Sequence, residues 1–248
     1  QHTFGYKDII PLFTGSKFDA DAWADLFKAS GAKFAGPVGI HHDNFAMWDS
    51  KVTRWNSVNM GPHKDFVGEL EKAIKARGMY YMVSFHHSYS WKYFQHSFDY
   101  DAADTAYSDL YTTPHKEGDP PNEEFLELWL EKIKEAVTNY KPSLIWFDMG
   151  FHEDIPEASQ KQMFSFYYNW ADANGIEAMV THKGTDIHKY TGVLDFERGK
   201  EDAITPYPWL TDDSIKDKTW FYQEFDTTWK SANDLIGLLA DIVSKNGN

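Results

Sequence analysis

Short apolar runs alternate with helix-period segments along this chain, and most of the runs end in a polar or charged residue. The clearest run is Leu144-Ile145-Trp146-Phe147, which follows Pro142 and closes on Asp148. A run of that length between a helix-like segment and a loop reads as a strand buried on both faces. Strands are expected at 33–42, 79–85, 144–147, 176–181, 193–196 and 219–225, and helices at 18–30, 65–77, 123–140, 156–174 and 231–245. Asp19 can cap the first helix and Gly31 stops it, while Ser231 and Asp234 have the spacing of a capping box. The polar stretch 88–122 has no period and is expected to be an insertion near the functional site.

Alternation of this kind specifies a parallel sheet with right-handed crossovers. His41, His86, Asp148, His182 and Glu197 all fall where strands end. Convergence of chemistry at strand ends favours a barrel over an open sheet with one crevice. The expected fold is therefore α/β, a TIM-type (β/α) barrel forming one domain over 1–248. Six of its eight strands are recognisable, so the barrel is expected to be incomplete or distorted.

The net charge of −14 sets the chain against nucleic acid and anionic membranes, whose phosphates would repel it. No apolar run is long enough to span a bilayer. No Gly-rich phosphate-binding pattern follows any strand, which leaves nucleotide binding unsupported. The absence of cysteine excludes disulfides and thiolate metal sites and leaves the compartment undecided; a secreted or periplasmic location is favoured if Gln1 follows a removed signal peptide. Aromatic residues make up 17% of the chain, and their faces suit the apolar faces of sugar rings as well as a core.

Asp148 and Glu197 stand at the ends of different strands, and glycoside hydrolysis needs two carboxylates. In the retaining mechanism one attacks the anomeric carbon while the other protonates the departing oxygen. Asp148 would also serve to cap a turn, and Glu197-Arg198 also reads as a surface ion pair. Adjacent residues of a strand face opposite ways, so Arg198 is free to serve another partner. His41-His42 and His86-His87 each end a strand. Neutral imidazole both donates to and accepts from sugar hydroxyls, and it also suits zinc. No His-x-His or His-Glu-x-x-His pattern is present, so the expectation is no metal and no cofactor. His63, His96, His115 and His188 are expected to be packing residues.

The block His41-His42-Asp43-Asn44-Phe45 followed by Met47-Trp48-Asp49-Ser50-Lys51 resembles the α-L-fucosidases of glycoside hydrolase family 29. The likeness continues at Phe18-Asp19 with Trp23, Gly31-Ala32-Lys33, Gly61-Pro62 with Asp65, Trp146-Phe147-Asp148, Phe196-Glu197-Arg198-Gly199 and Pro208-Trp209. The resemblance implies a retaining, metal-free exo-hydrolase that releases terminal α-L-fucose from fucosylated oligosaccharides or polysaccharides. It implies Asp148 as nucleophile and Glu197 as acid/base, with Glu201 and Glu224 in reserve. It places His41, His42, Trp48, and His86 or His87 at the sugar, and Arg198 and Trp220 are expected there too. A carbohydrate-binding barrel without catalysis and a metal-dependent hydrolase are the alternative readings.

Four departures stand out. Asn44 replaces the usual Gly of the motif, and Leu210 occupies a position where some members carry Glu. The family's first strand is not seen before Gln1, nor its last after Asn246-Gly247-Asn248. Six strands would leave two free edges, which the 1–11 segment or a second copy is expected to cover. If neither does, the chain is expected to be marginally stable. A strand around Trp209, or one at 3–10, would revise the count.

Overall fold

The computed structural model describes residues 3–149, 151–183 and 191–248. They fall into two compact units, Gln1–Val180 and Thr181–Asn248.

In the first unit, β1 (Phe34–Ala35) and β2 (Val38–Ile40) both pair in parallel with β3 (Tyr80–Phe85), which pairs with β4 (Leu144–Phe147). The expected strand at 33–42 is thus two short ones. It breaks at Gly36-Pro37: Pro37 has no N–H to give a ladder, and Gly36 packs so closely on Met82 that no side chain would fit. The ladder resumes when Ser84 N–H donates to Pro37 O at 3.1 Å. The far edge of β2 is covered by its own chain turning back, with Met47 N–H on Gly39 O at 2.8 Å and an antiparallel bridge from Ala46 to Ile40. Residues 3–10 do not form a strand; they hold a helical turn at Tyr6–Ile9.

The cap read from sequence at Asp19 is in place, and Asp65 and Asn122 add two more. Asp19 accepts from Ala22 N–H to start α1 (Ala20–Ala29), and Asp65 accepts from Gly68 N–H to start α2 (Phe66–Ala76). Asn122 does the same for α3 (Glu123–Tyr140), which buries Phe125, Trp129, Ile133, Ala136 and Val137. α4 (Glu157–Ala173) contributes Met163, Phe164 and Tyr167, and the Tyr167 hydroxyl donates to Pro142 O at 2.8 Å. Beneath them lie Val83, Phe85, Ile145 and Phe147, all fully buried. The stretch 88–122 is not a plain loop. It is a chain of short helical turns too brief to show a period, and it has its own core of Phe94, Ala102, Leu110 and Tyr111 with Ile10, Phe45 and Trp55.

Phe147 stacks on Phe151 at 4.2 Å and meets Phe85 and Trp129 within the same cluster. Phe147→Ala is expected to cost about 3–5 kcal/mol, the range for emptying a buried aromatic site. Urea denaturation checks this, and a loss below about 1 kcal/mol would show that the cluster does not hold the first unit together.

In the second unit, the continuation of β5 (Met179–Lys183) pairs in parallel with β6 (Val193–Glu197), which pairs with β7 (Leu210–Asp212). β7 is the strand near Trp209 that would revise the count. Residues 219–225 do not form one: their aromatic run finds no ladder partner among the described residues, and Phe225 is 93% exposed. Trp209 is buried against Phe196 and Gly247, and its indole N–H donates to Lys245 O. The last residues run parallel to β7, with Asn248 N–H on Trp209 O and Thr211 N–H on Asn248 O. α5 (Ala232–Ser244) starts at the expected Ser231–Asp234 capping box. Ile242 of α5 is buried, whereas Leu239 is exposed. The architecture is α/β with parallel ladders, as the alternation required.

Candidate active site

The register of β2, β3 and β4 brings three strand ends together in the first unit. His86 N–H donates to Ile40 O at 2.9 Å, which sets His86 beside the His41-His42 pair. Phe85 pairs with Phe147, which sets His86 beside Asp148. The His41 and His86 rings stack at 4.4 Å, and His41 meets His42 edge-on at 4.3 Å.

Partners fix the tautomers. His42 Nδ1 lies 2.7 Å from His86 O; a carbonyl only accepts, so Nδ1 carries the proton. In the neutral ring Nε2 is then a bare acceptor, and it lies 3.6 Å from Asp148 Oδ2. His86 Nδ1 lies 2.9 Å from the same Oδ2 and donates to it, while His86 Nε2 accepts from Ser84 Oγ at 3.2 Å. Burial lowers the pKa of His42 below the ordinary histidine value, partly offset by its bond to the His86 carbonyl. Removal from water, then the neighbouring His86 and His42, also push His41 down. The Asp148 side chain retains 17% of its surface and is reachable by solvent. Among the described residues, His41, His42 and His86 form a cluster able to hold a metal, with one ligand atom from each lying within 4.8 Å of the others.

Tyr89 and Tyr93 pack on His42, with ring centres 5.1 and 5.8 Å away, and Trp146 packs on His86 at 5.1 Å. The two tyrosines arrive on the first short turns after β3, a stretch without readable period. Tyr6 donates to Asp43, tying the N-terminal turn to the histidine loop.

Trp48 and His87 stand behind this face. Trp48 is fully buried, because the chain reversal that covers β2 turns it inward. Its indole N–H donates to Glu135 Oε2 at 2.8 Å, where Ser50 Oγ also donates at 2.6 Å, and Lys51 N–H takes Glu135 Oε1 at 2.6 Å. The Trp-x-Ser-Lys segment thus clamps α3 in this structure. His87 is buried, with Nε2 donating to Trp129 O at 3.1 Å, and burial pushes its pKa down to about 3.

Asn44 sits at φ +63, a left-handed position that Asn tolerates better than most residues and that suits the Gly of the related motif. Its amide donates to Leu110 O at 3.0 Å, and its oxygen accepts from the buried Lys132 of α3 at 2.7 Å. Burial lowers Lys132 to about 8. The unfolded chain, at the ordinary lysine value of 10.5, therefore holds an extra proton between about pH 8 and 10.5, and stability rises with pH across that window. Lys132→Met should lose this rise. The stability gap between wild type and variant is expected to shift by about 3 kcal/mol in favour of wild type from pH 7 to 10.5. A gap that does not change with pH would contradict a strained, buried ammonium.

In the second unit, Glu197 ends β6 with its side chain half exposed. Trp220 Nε1–H donates to Glu197 Oε1 at 3.2 Å, and Lys183 Nζ lies 3.7 Å from Oε2. Arg198 turns away at φ +47: its guanidinium covers the Trp220 ring at 4.4 Å and its Nε lies 3.4 Å from Asp213. Arg198 lies past the end of β6, so strand alternation does not set its direction, and it shares Trp220 with Glu197. Lys183 also binds Asp212 at 2.6 Å and Asp195 at 3.3 Å. Burial, then the charge of Asp212, pushes Asp195 up to about 7, with Lys183 opposing. Sequence reasoning missed Lys183, Asp195 and Asp212; Lys183 ends β5, a usable signal, whereas Asp195 lies in the middle of β6 and Asp212 ends a strand too short to read. His182 is buried in β5. Glu201 is half-buried and accepts from the Tyr207 hydroxyl, and Glu224 is exposed in the 219–225 stretch. His115 stacks on Trp91 as a packing residue, whereas His188 lies outside the described residues.

A family model described as Alpha-L-fucosidase matches residues 1–248. The tissue alpha-L-fucosidase of Rattus norvegicus is 26% identical over 250 residues, covering 99% of this chain and 51% of that protein. The plasma alpha-L-fucosidase of Homo sapiens is 28% identical over 256 residues, covering 99% and 50%. Among solved structures, the Thermotoga maritima alpha-fucosidase in complex with fucose superimposes with a TM-score of 0.76 at 29% identity, over 99% of this chain and 52% of that one. The same enzyme with a mechanism-based inhibitor gives 0.77. The chain spans about half the length of the curated relatives it matches.

Proposed function

The chain belongs to the alpha-L-fucosidase family, and on that premise we propose that it is the barrel-type catalytic domain, over 1–248, of a retaining exo-glycosidase acting on terminal α-L-fucosides. The observation that carries the reading is the convergence on Asp148: a solvent-reachable carboxylate at a strand end, 2.9 Å from the His86 donor and 3.6 Å from the His42 acceptor.

Each group has a part that its chemistry suits. Asp148 is the nucleophile, and the His86 N–H holds one of its oxygens in place. His42 Nε2 and Asp148 Oδ2 are two acceptors side by side, so a sugar hydroxyl entering there has somewhere to donate. His41 takes a further hydroxyl at the exposed side of the stack. Attack by Asp148 on the anomeric carbon inverts it and forms a glycosyl ester while the aglycone oxygen leaves with a proton. Water then attacks the ester with a second inversion, giving net retention. Glu197 is assigned the proton transfers, with Trp220 and Lys183 orienting its two oxygens. Fucosylated glycans are the proposed substrates.

Incubation with an aryl α-L-fucoside, beside a calorimetric titration with L-fucose, tests the reading. Hydrolysis with release of α-L-fucose as the first product supports it. Heat of binding with no turnover over days would instead identify a binding protein that keeps the pocket without the chemistry.

A further inference from the structure

We propose that His41, His42, His86 and Asp148 also form a site for a single divalent transition-metal ion, represented by Zn2+, and that the ion blocks the pocket rather than serving it. Only the blocking depends on the fucosidase reading; the binding stands on geometry alone.

Zn2+ bound to imidazole nitrogen at about 2.0–2.1 Å and carboxylate oxygen at about 2.0–2.2 Å separates neighbouring tetrahedral ligands by roughly 3.3 Å. His86 Nδ1 and His42 Nε2 lie 2.9 and 3.6 Å from Asp148 Oδ2, on either side of that separation. The third imidazole, His41, offers a ligand atom within 4.8 Å of one from each of the other two, so a turn of its side chain brings in a further ligand. The chain already holds these groups in place: the His42 ring is fixed by the His86 carbonyl, and His86 by Ile40 and by stacking on His41. Little ordering therefore remains for an ion to impose.

The bare His42 Nε2 facing Asp148 Oδ2 is a pair of acceptors that a cation between them would stabilise. The ion takes the lone pair of His86 Nδ1, whose proton moves by way of water to His86 Nε2, where Ser84 Oγ turns from donor to acceptor, so the ring binds as a neutral imidazole. Nitrogen-rich ligation selects Zn2+, Co2+, Ni2+ or Cu2+ over Mg2+ and Ca2+, which require oxygen. An ion so bound occupies Asp148 Oδ2, the oxygen that His86 positions, and competes with a fucoside.

The test titrates the full chain, stripped by a chelator, with ZnCl2 in a calorimeter and with CoCl2 in a spectrophotometer, with no sugar present. One ion per chain and the visible bands of tetrahedral Co2+ are expected. His42→Ala and His41→Ala should each weaken binding at least about tenfold, and saturating L-fucose should weaken it in the wild type. The His41 ring is partly exposed, so His41→Ala keeps the test informative if His42→Ala fails to fold. No binding, or binding unaltered by His41→Ala, would overturn the site. Zn2+ that binds there yet leaves aryl fucoside hydrolysis unchanged would overturn the blocking alone. A chain that binds Zn2+ but hydrolyses nothing would sink the enzymatic reading and leave the metal site standing.

Discussion

Asp148→Ala is expected to lower kcat/KM for an aryl α-L-fucoside roughly 10,000-fold, about 5 kcal/mol at 1.36 kcal/mol per factor of ten. The size follows from the role: without the carboxylate no covalent intermediate forms, and the remaining groups stabilise only part of the transition-state charge. KM should change far less, since His41, His42 and His86 retain their places on β2 and β3. Sodium azide should restore turnover, because the small anion fits the space the carboxylate leaves and attacks the same face of the sugar. The product should be the β-L-fucosyl azide, which NMR identifies by its anomeric configuration. A loss below about tenfold, or an azide product of α configuration, would remove Asp148 from the reaction.

Glu197→Ala is expected to show an effect graded by leaving group. Substrates that release an alkoxide, such as fucosyl oligosaccharides, should slow by about 100- to 10,000-fold, the usual worth of general acid catalysis. Fucosides of acidic phenols need little protonation and should keep most of their first-step rate. Arg198 stacks on Trp220 and lies near Asp213, so Arg198→Ala should not reproduce this grading. Equal losses on both substrate types would move the proton donor elsewhere, and Glu201→Ala and Glu224→Ala would then be measured in the same way.

What was legible in the sequence is what local forces decide. Asp19 and Ser231 cap their helices because a side-chain oxygen meets an N–H three residues on, a distance within the pattern itself. β4 was legible as a continuous apolar run and β3 as one broken only by Ser84, and their register then carried His86 to Asp148. Trp48 was not legible. Its burial depends on a reversal at 46–47 and on Glu135, far along the chain on α3. The same holds for Lys132, which looks like one more helix charge until Asn44 reaches it. β7 is three residues long and follows Pro208, too little for any period to appear. The 219–225 run had the residue types of a strand, but a strand also needs a neighbour with free N–H and C=O groups, and nothing local supplies that.

The most direct measurement of the central claim is the trapping of the glycosyl ester. A 2-deoxy-2-fluoro-α-L-fucosyl donor with a good leaving group slows both steps, but slows hydrolysis of the ester more. Incubation should add one fluorofucosyl group per chain by intact-mass spectrometry, and peptide fragmentation should place it on Asp148. Labelling of any other carboxylate, or steady hydrolysis of fucosides that gives the β anomer first with no label on the protein, would contradict a retaining mechanism through Asp148.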